Sequence, residues 1–166
     1  EPRKNLATLI KAYNLLPSDL QDKFDLVIVG AKGWENSQIH ELINQNENIK
    51  FAGFVADEEL AALYSSAGVF AYPSVYEGFG IPPLEAMACG CAVALSDIEV
   101  FREIYGEDAV YFDALNEASL KEKLQILLTD EKMRENFARL GLRRCKDFSW
   151  AKSAKAHNEL FLKLIS

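Results

Sequence analysis

The chain has 166 residues, and with 49% of them hydrophobic it is long enough for one domain with a sizeable core. Its formal net charge of −7 argues against nucleic acid as the main partner. No apolar run in the sequence approaches the ~20 residues that a membrane-spanning helix needs.

The first half of the chain alternates between helix and strand patterns. Apolar side chains recur about every 3.6 residues over 5–16 and predict an amphipathic helix. The apolar run 25–30 predicts a buried strand that ends in a glycine turn. We then expect a helix around 36–46, a strand at 49–52 and a helix that Asp57 caps.

The second half continues this alternation and ends in helices alone. The predicted strands are 69–72, 92–95 and 109–112, and the predicted helices are 98–105, 116–128, 131–145 and 150–165, with Asn116 and Ser149 as N-caps. Alternating strands and helices predict an α/β fold: a Rossmann-like, doubly wound parallel sheet with helices on both faces and extra C-terminal helices. In such sheets the ligand lies beyond the carboxyl ends of the strands.

Residues 73–90 carry the most informative pattern in the chain. Glu77 and Glu85 bracket a Gly-Phe-Gly loop, and two prolines then open a short helix, where their missing N–H costs nothing. The first turn of a helix favours an anion, and Gly78 and Gly80 let the backbone approach a ligand closely. Carboxylates instead accept hydrogen bonds from sugar hydroxyls. The segment therefore predicts a ligand with a phosphate and polyol ends, such as a nucleotide-sugar.

A resemblance to a known family rests on ordered blocks of sequence. The signature EGFGIPPLEAMACG resembles that of the group 1 retaining glycosyltransferases of the GT-B fold. The opening EPRKNLATLIKAY resembles the family's donor-phosphate segment, and the blocks VIVGAKG, FAGFV and AYPS fall in the family's order. The resemblance covers the chain from Glu1 to about residue 165. It implies that residues 1–166 form a single nucleotide-sugar-binding domain, the C-terminal half of a two-domain enzyme.

The resemblance assigns roles to the charged residues of these blocks. It places Lys4, with Arg3 beside it, on the donor diphosphate, where positive charge is needed as the leaving group departs. It places Glu77 on hydroxyls of the donor sugar, where it also stabilises positive charge at the anomeric carbon. Glu85 would accept hydrogen bonds from the ribose diol. The alternatives are a solvated basic pair, a surface glutamate and an ordinary first-turn glutamate.

The loop and the start of the following helix supply further candidates by the same resemblance. Backbone N–H groups of Phe79, Gly80 and Ile81 would face the phosphates or the sugar, and Gly78 would allow the close approach. Leu84 would pack against the nucleoside, although a place in the core is an equal alternative.

Two more candidates follow predicted strands. Relatives in the family bind the nucleotide base at the positions of Phe54 and Val55. Gly30 would allow the ligand to approach the backbone closely near its phosphates. A plain turn is the alternative at both places.

The activity that the resemblance implies is transfer of a sugar from a nucleoside diphosphate-sugar to an acceptor hydroxyl, with retention. The setting would be polysaccharide, lipopolysaccharide or glycolipid biosynthesis, and the acceptor a saccharide or lipid-linked saccharide. The acceptor-binding N-terminal domain would be missing from this chain, so we expect weak nucleotide binding and no transfer by the chain alone. The reaction would need no cofactor and no metal, and the sequence has no Asp-x-Asp motif to bind a metal-chelated nucleotide-sugar.

Two other classes of protein share the expected fold. A dinucleotide-binding oxidoreductase domain needs Gly-x-Gly-x-x-Gly directly after the first strand. The run at 30–33 does not fit that pattern, and the Gly-Phe-Gly loop comes far too late. A non-catalytic module would explain the helices and strands but not the clustered carboxylates, glycines and Lys4.

The cysteines and the charge distribution bear on location. Cys89, Cys91 and Cys145 cannot all pair internally, so we expect buried thiols, no metal site and a cytoplasmic protein. Between Lys132 and Lys155 there are eight basic residues against two acids. A solvated helical face is the plainer interpretation; the alternative is a surface that faces an acceptor or an anionic membrane, with the full-length protein then peripheral at the inner face of that membrane.

Overall fold

The computed structural model describes residues 1–30 and 37–165, without the side chains of residues 37, 38 and 40. The end of the VIVGAKG block, the run at 31–33 and the first residue of the helix predicted around 36–46 lie outside the described residues.

Every strand pairing in the described part of the chain is parallel. The strands are β1 (Leu26–Val29), β2 (Ile49–Gly53), β3 (Phe70–Tyr72), β4 (Val93–Ser96) and β5 (Val110–Phe112). Hydrogen bonds join β1 to β2 in one sheet, and β3, β4 and β5, in that order, in a second.

The helices of the same residues alternate with these strands and then follow them. They are α1 (Leu6–Asn14), α2 (Ser18–Lys23), α3 (Ser37–Asn44), α4 (Asp57–Ser66), α5 (Ile81–Ala88), α6 (Glu99–Tyr105), α7 (Glu117–Thr129), α8 (Glu131–Arg144) and α9 (Trp150–Leu164). Short 3-10 helices span Pro2–Lys4 and Cys145–Asp147. The predicted Rossmann-like, doubly wound fold with helices on both faces and extra C-terminal helices is confirmed.

Side chains of the central strand show that both faces of the sheet are covered. Val93 and Leu95 pack into a core with α5 and α6, whereas Ala94 faces a second core built on α1 and α7. Successive residues of a strand point to opposite faces, so β4 is buried on both sides along its length. This explains its uninterrupted small and apolar sequence.

The sheet differs from the expected single one, because no hydrogen bond between the described strands joins β1 or β2 to β3. One core nevertheless spans the two sheets: Ile28 and Ile49 belong to the same buried cluster as Val110 and Phe112. Packing of side chains, rather than a continuous ladder, therefore holds the sheets together.

Helix boundaries mostly agree with the expected caps. The side chains of Asn116 and Ser149 accept hydrogen bonds from backbone N–H groups at the starts of α7 and α9. The expected cap at Asp57 is wrong, because Asp57 is the first helical residue and Ala56 is the N-cap. Glu59 reaches back instead, and its Oε2 accepts from the Ala56 N–H at 3.1 Å.

The C-terminal helix is exposed along its whole described length. Its apolar side chains include Trp150 and Phe161, which are 80% and 59% exposed. Among the described helices, none is both long enough and apolar enough to span a membrane.

Candidate functional site

The N-terminal turn is fixed against the loop that follows β3. Asn5 adopts a left-handed conformation with φ 50°, and its Nδ2 donates to the Ala114 carbonyl at 2.6 Å. The backbone N–H of Val75 donates to the Arg3 carbonyl at 2.8 Å. These two contacts place Lys4 beside the segment that carries Glu77.

Lys4 and Arg3 both grip the carboxylate of Glu77. Lys4 Nζ lies 2.6 Å from Oε1, and Arg3 Nη1 lies 2.6 Å from Oε2. The Glu77 side chain is only 9% exposed, whereas Lys4 and Arg3 are 28% and 41% exposed. The candidates with catalytic roles therefore meet in one place, with the cations on the solvent side of the carboxylate.

Tyr72, the last residue of β3, completes this cluster. Lys4 Nζ donates to the Tyr72 hydroxyl, which in turn donates to Glu77 Oε1 at 3.1 Å. Lys4 Nζ also lies 4.7 Å from the centre of the Tyr72 ring. Sequence reasoning placed this residue on a strand and gave it no role. The available signal was a polar-tipped aromatic at the carboxyl end of a strand, where ligands bind.

The protonation of the cluster follows from its contacts. Burial alone would raise the pKa of Glu77, but the hydrogen bonds from its neighbours, Lys4 foremost, outweigh it and hold the pKa below its ordinary value. Burial alone would lower the pKa of Lys4, but hydrogen bonds with Glu77 and Tyr72 raise it overall. Both groups are therefore charged at neutral pH.

The loop between the two glutamates packs against side chains of α6. Gly80 has φ +92°, and a Cβ placed on it would lie 2.7 Å from Cε1 of Phe101. The Tyr105 hydroxyl donates to the Gly80 carbonyl. Only glycine fits this position, because any side chain would be strained and would collide with a buried ring.

The start of α5 offers backbone donors from a restricted set of residues. Pro82 and Pro83 occupy the first turn of α5 and carry no N–H. The N–H groups that remain belong to the loop and to Ile81, and no described residue accepts a hydrogen bond from the segment 78–81. With the helix dipole behind them, these donors favour an anion.

The remaining candidates of the loop and of α5 are exposed or half-buried. Glu85 is exposed, and its carboxylate is close enough to Tyr64 that its charge adds to burial in raising the pKa of that phenol. Leu84 is half-buried against the core of α5 and α6. Phe79 and Ile81 are 41% and 43% exposed, and the Phe79 ring meets Phe148 edge-on.

The carboxyl ends of β1 and β2 hold the last group of candidates. The Gly30 N–H donates to the Gly53 carbonyl at 2.9 Å, which brings Gly30 beside Phe54 and Val55. Phe54 is 84% exposed, so its ring is available for contact. Among the described residues, no hydrogen bond or ion pair joins this group to the Lys4 cluster.

Neither the cysteines nor a metal site contributes to the described Lys4 cluster. Cys89, Cys91 and Cys145 are free thiols, and burial raises the pKa of Cys91 to about 11. In the part of the chain that the structure describes, no group of three His, Cys, Asp or Glu side chains could hold a metal ion.

Comparisons with known proteins identify relatives of this chain. The O-antigen chain mannosyltransferase B of Escherichia coli is 37% identical over 153 residues, which are 90% of this chain. The chain spans only 40% of that relative's length.

Solved structures share the fold. The C-terminal domain of a group 1 family glycosyl transferase (LpcC) from Francisella tularensis superposes with a TM-score of 0.77 and is 27% identical, over 89% of this chain and 80% of that one. HepE of Anabaena, solved in complex with UDP and glucose, gives a TM-score of 0.86 at 21% identity, over 98% of this chain and 46% of HepE. The family model for group 1 glycosyl transferases matches residues 1–144, and the chain therefore belongs to that family.

Proposed function

We propose that this chain is the donor-binding domain of a glycosyltransferase that moves a sugar from a nucleoside diphosphate-sugar to an acceptor hydroxyl with retention of configuration. The observation that carries the proposal is the meeting of Lys4, Arg3 and Glu77 beside the start of α5. A diphosphate and a sugar are neighbours in such a donor, and here a cation pair and a buried carboxylate are neighbours too.

Lys4 and Arg3 receive the diphosphate together with the backbone donors of Phe79, Gly80 and Ile81. Lys4 neutralises the charge that grows on the leaving diphosphate as the glycosidic bond breaks, the task that a metal performs in other enzymes. Ordered cations and amides suit this task because they need little reorganisation during the reaction. We accordingly propose a reaction that needs neither metal nor cofactor.

Glu77 binds the donor sugar. Its ionised carboxylate can accept hydrogen bonds from two hydroxyls, and its charge stabilises the positive charge that develops at the anomeric carbon. The Lys4 and Arg3 contacts keep the carboxylate ionised although it is almost buried. Glu77 therefore acts electrostatically from a fixed position.

The nucleoside is bound by the candidates on α5 and at the carboxyl ends of β1 and β2. Glu85 accepts from the ribose diol, and Leu84 packs against the nucleoside from its half-buried position. Phe54 and Val55 contact the base at the carboxyl end of β2, and Gly30 allows a close approach beside them. The exposed Phe54 ring is suited to stacking on a base.

The larger setting is proposed from the relatives. An acceptor-binding N-terminal domain would complete the enzyme, and the acceptor would be a saccharide or lipid-linked saccharide in polysaccharide, lipopolysaccharide or glycolipid biosynthesis. The C-terminal-domain match and the O-antigen mannosyltransferase support this setting. The free thiols fit a cytoplasmic location, and peripheral attachment of the full-length protein to the inner face of a membrane remains part of the proposal.

A panel of nucleotides tests the donor assignment directly. Isothermal titration of the 166-residue chain with UDP, GDP, ADP and NAD should show weak binding of at least one diphosphate and none of NAD. Binding of NAD alone would instead favour the dinucleotide-binding module. Binding of none of them, in a chain that remains folded, would contradict the proposal.

A further inference from the structure

We propose that Tyr72 is a positioning residue for donor binding: its hydroxyl holds the Lys4 ammonium in the one orientation in which Lys4 contacts Glu77 and still presents an N–H to the diphosphate. This inference rests on the proposed function of the Lys4 cluster. It assigns a role to a residue that the donor itself need not touch.

The hydrogen bonds of the cluster form a closed triangle. Lys4 Nζ donates to the Tyr72 hydroxyl and to Glu77 Oε1, and the single phenol proton goes to the same Oε1 at 3.1 Å. An ammonium has three N–H groups. Two are used inside the triangle, so one remains for a phosphate oxygen, and its direction is set by the other two.

The phenol can serve as a reference point because strand pairing and ring packing hold it in place. Tyr72 pairs with Leu95 across the β3–β4 ladder and is 9% exposed. Its ring lies 5.8 Å from the rings of both Phe70 and Phe101. Lysine, by contrast, has a long flexible stem with much rotamer freedom to lose. A fixed hydroxyl removes that freedom before the ligand arrives, which strengthens binding.

Removal of the hydroxyl should therefore act through Lys4 and not through packing. In Tyr72→Phe the ring and its neighbours stay, while Lys4 loses one acceptor and Glu77 loses one donor. We expect about fivefold weaker binding of the nucleoside diphosphate, the usual size of one buried hydrogen bond. The effect should vanish when Lys4 is already Met, since the hydroxyl then has no ammonium to orient.

Tyr13→Phe provides a matched control. Tyr13 is 3% exposed, and its hydroxyl donates to the Phe24 carbonyl at 2.8 Å, in a different part of the core. Tyr13→Phe loses the same atom from a site that is also buried, so any general effect of losing a buried hydroxyl appears there as well.

The experiment combines nucleotide titration with NMR of the ligand-free chain. Affinity for the best-binding diphosphate is measured in wild type, Tyr72→Phe, Tyr13→Phe, Lys4→Met and the Lys4→Met/Tyr72→Phe pair. The Glu77 carboxyl carbon is titrated with pH in the first three chains. We expect that Tyr72→Phe alone raises the pH at which Glu77 titrates, because Glu77 loses a donor, and that Tyr13→Phe leaves it unchanged.

Three outcomes overturn the inference: an unchanged Glu77 titration in Tyr72→Phe, equal affinity losses in the two phenylalanine variants, or a full additional loss when Tyr72→Phe is added to Lys4→Met. Failure of wild type to bind any nucleotide would instead refute the proposed function, while the ligand-free titration still tests whether Tyr72 orders the pair. If Tyr72→Phe does not fold, the Cζ resonance of Tyr72 in wild type decides. The chemical shift of the Tyr72 Cζ should change on saturation with the diphosphate, while the chemical shift of the Tyr13 Cζ should not. An unchanged Tyr72 chemical shift would refute the inference.

Discussion

Lys4 Nζ and Glu77 Oε1 lie 2.6 Å apart, although 73 positions separate the two residues in sequence. Partly buried ion pairs are weak evidence of stabilisation, because desolvation offsets much of their attraction. Here a second cation, Arg3, and the hydroxyl of Tyr72 share the same carboxylate. This clustering of charge at the carboxyl end of β3 is better explained by a charged ligand than by the needs of the fold.

Loss of the Lys4 ammonium should weaken nucleotide binding strongly. A charge-assisted hydrogen bond contributes about 1.5–3 kcal/mol, so Lys4→Met should bind the diphosphate about 10- to 100-fold more weakly in isothermal titration. Lys11→Met removes an exposed cation of α1 and is the control. Equal losses in the two variants would mean that net charge, and not Lys4 itself, attracts the nucleotide.

Acid should remove the contribution of Glu77 to stability. Its pKa is lowered from 4.5 in the folded chain, so the contribution is present above 4.5 and is lost as the pH falls through the lower folded value. The difference in unfolding free energy between wild type and Glu77→Gln should therefore shrink on acidification below 4.5. Urea unfolding of both proteins from pH 7 to pH ~3 measures it, since other carboxylates cancel in the difference. If the difference in unfolding free energy stays constant or grows on acidification, Glu77 is not held ionised by its neighbours.

The loop should tolerate a methyl group at one glycine and not at the other. Gly80→Ala places Cβ against Phe101 at a positive φ, and should cost about 1–3 kcal/mol of unfolding free energy from backbone strain alone. Gly78→Ala meets no described atom within 4 Å beyond its chain neighbours, and should cost under ~0.5 kcal/mol. Thermal or urea unfolding compares the two. Similar costs would show that α6 does not support the loop as the structure indicates.

Glu85 should make the site prefer a nucleotide whose ribose carries both hydroxyls. Wild type should prefer a ribonucleoside diphosphate over its 2′,3′-dideoxy analogue by about tenfold, the value of a hydrogen bond to a charged acceptor. Glu85→Gln should reduce this preference several-fold by weakening the ribo form alone. Glu58→Gln, an exposed glutamate at the start of α4, should keep the full preference. If Glu85→Gln keeps the full preference for the ribonucleotide, Glu85 does not bind the ribose.

Much of the fold could be predicted because hydrophobic periodicity marks helices and buried strands. The apolar run at 25–30 correctly predicted a strand, but the expectation that this strand is buried is wrong, because Val27 and Val29 of β1 are exposed and only Ile28 is buried. The short helix α2 was missed, since its six largely polar residues carry little periodicity and it buries Leu20 alone. The separation into two sheets was missed as well, because pairing between strands depends on geometry that no local pattern records.

The site could be predicted where a motif or a strand end marked it. Lys4 and Glu77 were expected in one pocket, and the structure brings them into contact. Tyr72 was given no role, because its one signal, a place at the carboxyl end of a strand, is shared by aromatic residues of the core, and only tertiary packing turns its hydroxyl toward Lys4. Asn5 was missed for the same reason, since its tie to Ala114 crosses the fold.

The most direct test of the donor site is a crystal structure of this chain with the nucleoside diphosphate that it binds best. The account predicts a phosphate oxygen within ~3 Å of Lys4 Nζ, the ribose diol against Glu85, and the diphosphate facing the loop at 78–81. A nucleotide bound elsewhere, or bound with its phosphates turned away from Lys4, would contradict it.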